Sequence, residues 1–382
     1  MTALAVSSRV RALPRSGIRG IMELAVERPG AIRLEVGDPD FATPDHIVDA
    51  AARAARDGWT HYAPSAGLPE LRRLTAEKVS AVNGIACVPE QVVVTTGASG
   101  GLYAALLALL DGGDEALVPD PGWPNYRSLV LAAGAAPVPY PLDRRAGFVP
   151  DVDALERAVG PRTRVLVVNS PGNPTGTVHS RSTVEALVEL AQRRGLWLVS
   201  DECYDELVFD GEHVSPASVA VNGIVSVFSF SKTYAMTGWR VGYVVCPREV
   251  APLVANAQEG VVSCVSTVGQ KAAEAALAGS QEPSRRMAAA YRRRRDAALV
   301  ELEGGGPGYV TPAGAFYLMV DVPGSSETFA RALLAERGVA VTPGAAFGAG
   351  GEGMVRVSLA ASDDAVVAGV RRLREATAGA AP

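Results

Sequence analysis

The segment Arg164–Asn169, RVLVVN, is almost continuously apolar, and it belongs to a series of short β-branched runs separated by helical stretches. A strand that is apolar on both faces must be covered on both, which a mostly parallel sheet flanked by helices achieves. Gln91–Thr96 predicts a strand, Gly97–Gly101 a turn and Leu102–Leu110 a helix. Ala116–Pro119 predicts a short strand, Ser182–Arg194 an amphipathic helix, and Leu196–Ser200, Ile224–Ser229 and Val241–Cys246 further strands. This alternation is the pattern of an α/β sheet with helices on both faces. Ligands of such sheets bind beyond the carboxyl ends of the strands. A long helix over Glu282–Glu303 carries Arg292–Arg295, expected on a solvated face, and ends at Gly304–Gly308. Beyond it, Tyr309–Val322, Thr328–Arg337 and Val355–Leu359 alternate strand, helix, strand. They predict a smaller α+β lobe joined by the N-terminal segment. The expected division is a large domain over 45–280 and a small one from 1–44 and 281–382.

Composition narrows the function. Of 382 residues, 48% are apolar and 20% charged, enough for a large core and too ordered for a disordered chain. The net charge of -5 argues against nucleic-acid binding by bulk electrostatics. Only three lysines occur, Lys78, Lys232 and Lys271, so chemistry that needs an amine has three candidates. Four dispersed cysteines without CxxC spacing predict reduced thiols and a cytoplasmic protein. No HExxH or other metal spacing is present, and no metal is expected. The longest apolar run, Leu102–Leu110, is about half the length a membrane helix needs. Met1–Arg11 has no secretory pattern, and the first residues and Ala376–Pro382 are expected to fray.

Four motifs sit at predicted strand ends. Ser229-Phe230-Ser231-Lys232-Thr233-Tyr234 places a lysine directly after a strand. Desolvation there lowers an amine pKa and makes it a nucleophile toward carbonyls. A lone lysine would instead read as a surface side chain, but Arg240 follows eight residues on and small hydroxyls precede it. Thr96–Gly101 is a glycine-rich link into a helix whose N–H groups suit phosphate, although glycine also serves tight turns sterically. Asn169–Gly176 reads as a Pro/Gly turn and Asp201 as a cap when each is taken singly. Together, a lysine, a phosphate cradle, an acid on one strand end and an asparagine on the next suit pyridoxal 5'-phosphate. Lys232 would hold its aldehyde as a Schiff base, and Asp201 would keep its ring nitrogen protonated.

On SKTYAMTGWRVGY and NPTG at this spacing, the chain resembles the class I/II aminotransferases of the fold-type-I pyridoxal-phosphate superfamily, closest to the bacterial aspartate/aromatic-type branch. The resemblance runs from about Ile32 to Leu373. It implies a large, mostly parallel seven-stranded sheet domain sandwiched by helices, plus a smaller α+β domain. It implies transamination between an L-amino acid and a 2-oxo acid by a ping-pong mechanism, with Lys232 as Schiff-base lysine and proton shuttle and Asp201 as ring-nitrogen partner. Tyr204 and Asn173 match residues that hydrogen-bond the cofactor's phenolic oxygen. Ala98, Ser99, Ser229 and Arg240 match the phosphate cradle, and Trp123 the stacking ring. Tyr62 resembles a tyrosine that reaches the phosphate of the neighbouring subunit, which implies a homodimer with shared sites. Arg356 resembles the arginine that grips the substrate α-carboxylate, with Gly37 in the loop that meets the same group. The loop Ser263-Cys264-Val265 departs from its relatives' usual residues where it should approach the partner's site. For a distal carboxylate Arg19 is the one candidate, and a solvent-facing helix arginine describes it equally well. Ile18, Ile21, Val262 and Val265 are the apolar residues expected around the pocket, favouring a neutral or aromatic amino acid, with glutamate/2-oxoglutarate as the other pair. A lyase or decarboxylase on the same scaffold is the alternative reaction. A non-catalytic sensor would need a DNA-binding domain, for which the resembling segment leaves no room.

Overall fold

The computed structural model describes residues 6–14, 17–304 and 306–379. Its strands, in chain order, are β1 (Ile32–Arg33), β2 (Val92–Thr95), β3 (Glu115–Asp120), β4 (Ala136–Pro141), β5 (Thr163–Asn169), β6 (Trp197–Asp201), β7 (Ile224–Ser229), β8 (Gly242–Val245), β9 (Tyr309–Val310), β10 (Tyr317–Asp321), β11 (Val339–Ala340), β12 (Thr342–Pro343) and β13 (Met354–Ser358).

Seven of them form one sheet in the order β2-β8-β7-β6-β5-β3-β4. Pairs β7–β6, β6–β5, β5–β3 and β3–β4 are parallel, and β8 is antiparallel to both β7 and β2. Every residue of β7 is buried and all of β5 except Arg164, because helices cover both faces. One core cluster lies on each side of this sheet, with Leu166, Leu198 and Phe228 in one and Val165, Val199 and Val227 in the other. The alternation along each strand assigns successive side chains to opposite cores.

A second, four-stranded antiparallel sheet has the order β12-β13-β10-β9. The N-terminal segment lies beside it: β1 pairs in parallel with β11 in a separate two-stranded sheet, and Leu34 O accepts from Ser358 N of β13 at 2.8 Å. The helix over Ser326–Arg337 and the C-terminal helix Asp363–Ala378 close a third core around Phe316, Leu318 and Val357.

Four local expectations change. The helix predicted from Leu102 begins at Gly97 and runs to Leu109, so the glycine stretch is its first turn rather than a separate link. The strand predicted across Tyr309–Val322 is two strands separated by residues 311–316. Arg294 and Arg295 are buried, not solvated, since four consecutive residues on a helix span more than one face. Arg294 pairs with Asp40 and Asp363 at 2.7 Å, and Arg295 pairs with Asp210. The C-terminal helix holds Ala376–Ala378 in register; residues 1–5 and 380–382 of the expected frayed ends, and Gly305 of the expected helix stop, lie outside the described residues. Among the described residues no helix is long and apolar enough to cross a membrane.

Candidate active site

The carboxyl ends of β5, β6 and β7 converge on one cavity with the first turn of Gly97–Leu109 and with β10 and β13 of the second sheet. Ile18, Gly37, Ala98, Ser99, Trp123, Asn173, Asp201, Tyr204, Ser229, Lys232, Arg240 and Arg356 all line it. The fold therefore gathers residues spread over more than 330 positions.

Lys232 follows the buried end of β7 in a single helical turn capped by Ser229, whose Oγ accepts from Ser231 N at 3.1 Å. Lys78 is ion-paired with Asp205, and Lys271 with Glu274. Lys232 has no carboxylate at ion-pair distance among the described residues; its Nζ donates to Gly37 O at 2.7 Å. Burial lowers its pKa to about 8, with Cys203 and Asp38 opposing the shift. An amine held this way is half free base at about pH 8, where an ordinary lysine is almost wholly protonated.

Asp201, at the end of β6, is buried and accepts from Tyr126 Oη at 2.5 Å and from Cys203 N at 3.2 Å. Desolvation raises its pKa, partly offset by those hydrogen bonds. Neighbouring β5 ends in Asn169, whose side chain ties the two strand ends together by donating to Asp201 O at 2.9 Å and accepting from Asn173 N at 2.7 Å. That bond explains why the NPTG loop sits where it does. Arg240 is in the left-handed region at φ 56° and donates to Thr237 O at 2.7 Å. Gly97 has φ +70°, which favours glycine, and a Cβ there would lie 2.6 Å from Arg240 Nη2, so that a larger residue would shift the guanidinium.

Arg356 projects from β13 and is 1% exposed. It donates to Asn173 Oδ1 at 2.9 Å and to Glu35 O at 2.6 Å, while its Nε has no partner. Burial lowers its pKa, opposed by Tyr317, Tyr204 and Glu35, yet a guanidinium stays charged. Among the described residues no carboxylate balances it at ion-pair distance. A buried, uncompensated fork facing a cavity is a receptor for a carboxylate.

Two expected site residues stand elsewhere. Arg19 is exposed and does not line the cavity; Ile18, one position earlier and about 100° away around the helix Gly17–Val26, does. Tyr62 is 89% exposed and lines a surface depression with Trp59, His61 and Cys264. Of the apolar residues expected around the pocket, only Ile18 lines it: Ile21 and Val265 are buried in packing and Val262 is on the surface. Hydropathy marks such residues as apolar but carries no information about which cavity they face.

Sequence reading missed Tyr126, Cys203, Thr237 and Tyr317, which also line the cavity, as does Ser231, one of the small hydroxyls noted before Lys232. Tyr126 and Cys203 lie within three residues of singled-out positions, so proximity could have found them. Tyr317 lies in no site motif, and its place depends on strand register. The donor set fits pyridoxal phosphate: a buried acid without a cation for a ring nitrogen, an unpaired amine for an aldehyde, and Arg240 beside a helix N-terminus for a phosphate.

The family model for aminotransferase class I and II matches residues 29–372. An aspartate/prephenate aminotransferase of Thermus thermophilus is 42% identical over 369 residues, covering 94% of this chain and 95% of that protein. An aromatic-amino-acid aminotransferase of Thermococcus litoralis is 37% identical over 94% of each chain. The solved aspartate aminotransferase from Thermus thermophilus with maleate superposes with a TM-score of 0.93 at 40% identity, covering 98% of this chain and 100% of that one.

Proposed function

The chain belongs to the class I and II aminotransferases, and we propose that its strand-end cavity is where an amino group passes between an L-amino acid and a 2-oxo acid with Lys232 as the proton-moving amine. Bound pyridoxal phosphate supplies an aldehyde carbon that accepts amines and an electron-poor ring that stabilises negative charge at the substrate α-carbon. Lys232 Nζ holds the cofactor in the resting enzyme. Once released from the cofactor, the amine would be placed to take up and return the substrate's Cα proton, a task suited to its lowered pKa. Asp201 holds a proton on the ring nitrogen, and Tyr126 and Cys203 fix its carboxylate. Tyr204 and Asn173 bind the phenolic oxygen, Trp123 covers the ring, and Ala98, Ser99, Ser229 and Arg240 hold the phosphate. Arg356, with Asn173 and Gly37 beside it, grips the substrate α-carboxylate. Tyr62 serves the phosphate of a second subunit, consistent with its exposure here and its position beside the loop of Cys264.

The observation that carries this reading is the pairing pattern of the three lysines: Lys78 and Lys271 have carboxylate partners, and Lys232 faces the cavity with none. Arg240 and Arg356 have work in that cavity already, and among the described residues of this chain no further arginine or lysine besides Lys232 lines it. A neutral or aromatic amino acid is therefore the proposed donor, with glutamate/2-oxoglutarate as the second pair. The test is a half-reaction screen, in which holoenzyme meets each amino acid in turn and the visible absorbance of the cofactor is followed. Loss of the resting absorbance with aromatic or neutral amino acids supports the proposal. Conversion with aspartate alone overturns the substrate class.

A further inference from the structure

We propose that Tyr317 is a positioning residue that links the carboxylate-gripping end of the cavity to its phenol-binding end. The inference rests on the roles of Tyr204 and Arg356 given above.

Tyr317 opens β10, where it pairs with Ser358 while Met319 pairs with Arg356. Residues two apart on a strand share a face, so Tyr317 is the diagonal neighbour of Arg356. Its ring centroid lies 4.3 Å from the Arg356 guanidinium carbon, and Phe347 adds a second ring at 4.8 Å. The aromatic faces hold a buried cation that has no carboxylate at ion-pair distance among the described residues. The Tyr317 hydroxyl lies 2.9 Å from that of Tyr204, both residues being buried. It also occupies the space that a Cβ at Gly37 would need, and Gly37 O accepts from Lys232 at 2.7 Å. One side chain thus touches Arg356, Tyr204 and the loop that anchors the lysine.

The direction of the phenol pair follows from proton counting. Each phenol has one proton to give. When Tyr204 donates its proton to an oxygen in the cavity, the hydrogen bond between the two phenols is donated by Tyr317. A phenol that accepts one hydrogen bond donates a stronger one. Tyr317 therefore sharpens the bond that Tyr204 makes to the cofactor's phenolic oxygen, which favours the ionised form of that oxygen.

Holoenzymes of wild type, Tyr317→Phe, Tyr317→Leu, Tyr204→Phe and the Tyr204→Phe/Tyr317→Phe double variant test this. The readouts are the midpoint pH of the bound cofactor's visible-absorbance titration, and kcat and KM for an accepted amino acid. Tyr317→Phe keeps the ring over Arg356 and removes the hydroxyl. Its midpoint should rise by roughly 0.5–1 pH unit, the scale of one neutral hydrogen bond, with KM within about twofold of wild type. Tyr317→Leu should show the same rise and a KM about tenfold higher, because the cation loses its aromatic face. Tyr204→Phe should also raise the midpoint, and the double variant should match it. A rise in Tyr204→Phe with none in Tyr317→Phe, or additive rises in the double variant, overturns the link while leaving the Tyr204 assignment intact. No rise in either single variant overturns both.

Discussion

Lys232 is chemically distinct from the other two lysines because of what surrounds it. Its lowered pKa makes uptake of the cofactor by the apo-protein pH-dependent: the rate should climb up to about pH 8 and level off above it, as Nζ loses its proton. Stopped-flow absorbance on mixing apo-protein with pyridoxal phosphate measures this. A plateau reached only near pH 10.5 would mean an ordinary solvated amine. The same shift carries a sign for stability. With a folded pKa below the unfolded value, the unfolded chain binds more protons between about pH 8 and 10.5, so Lys232 ceases to destabilise the apo-protein as pH rises through that window. Arg356→Ala should lower kcat/KM for every amino acid by an amount equivalent to about 2–5 kcal/mol, since all present the same α-carboxylate. Steady-state kinetics across several amino acids check it, and a loss confined to one substrate contradicts the role. Lys232 and Asp201 were legible as residue types at strand ends, whereas Arg356, which lies within β13, was named from the family resemblance alone. Tyr317 was not legible, because only the pairing of β10 with β13 brings it to Arg356.

At the scale of elements, the site is a consequence of where strands stop. Periodicity located β5, β6 and β7 to within a residue or two because strands buried on both faces leave a strong apolar signal. It wrongly separated the glycine stretch from its helix, since glycine disfavours helix interiors and the reason for it here is tertiary. At Gly97, φ is +70° and Arg240 crowds the missing Cβ. Gly97→Ala should therefore weaken cofactor binding while leaving the fold intact at a cost of about 1 kcal/mol. Fluorescence titration of the apo-protein with pyridoxal phosphate, alongside urea unfolding, separates the two effects. Unchanged affinity would show that Arg240 does not depend on that turn. The buried Arg294 and Arg295 illustrate the opposite failure: a charged run reads as solvated until Asp40, Asp210 and Asp363 are placed beside it.

At the scale of the whole molecule, a single chain brings every expected cofactor-binding residue to the cavity except Tyr62. Mixed dimers of Tyr62→Ala and Lys232→Ala subunits should recover one working site, whereas neither parent homodimer should be fully active. Activity that tracks a monomer on sizing chromatography would contradict sharing. The two sheets meet at the cavity, Lys232 coming from the seven-stranded side and Arg356 from the four-stranded one. That convergence was implied by family resemblance rather than by pattern, since no local signal in the chain says which lobe faces which. The central claim is that Lys232 is the amine that carries the cofactor. Borohydride reduction of the holoenzyme, proteolysis and mass spectrometry test it most directly. The account predicts the cofactor's added mass on the peptide containing Lys232; the same mass on Lys78 or Lys271, or on no lysine, would contradict it.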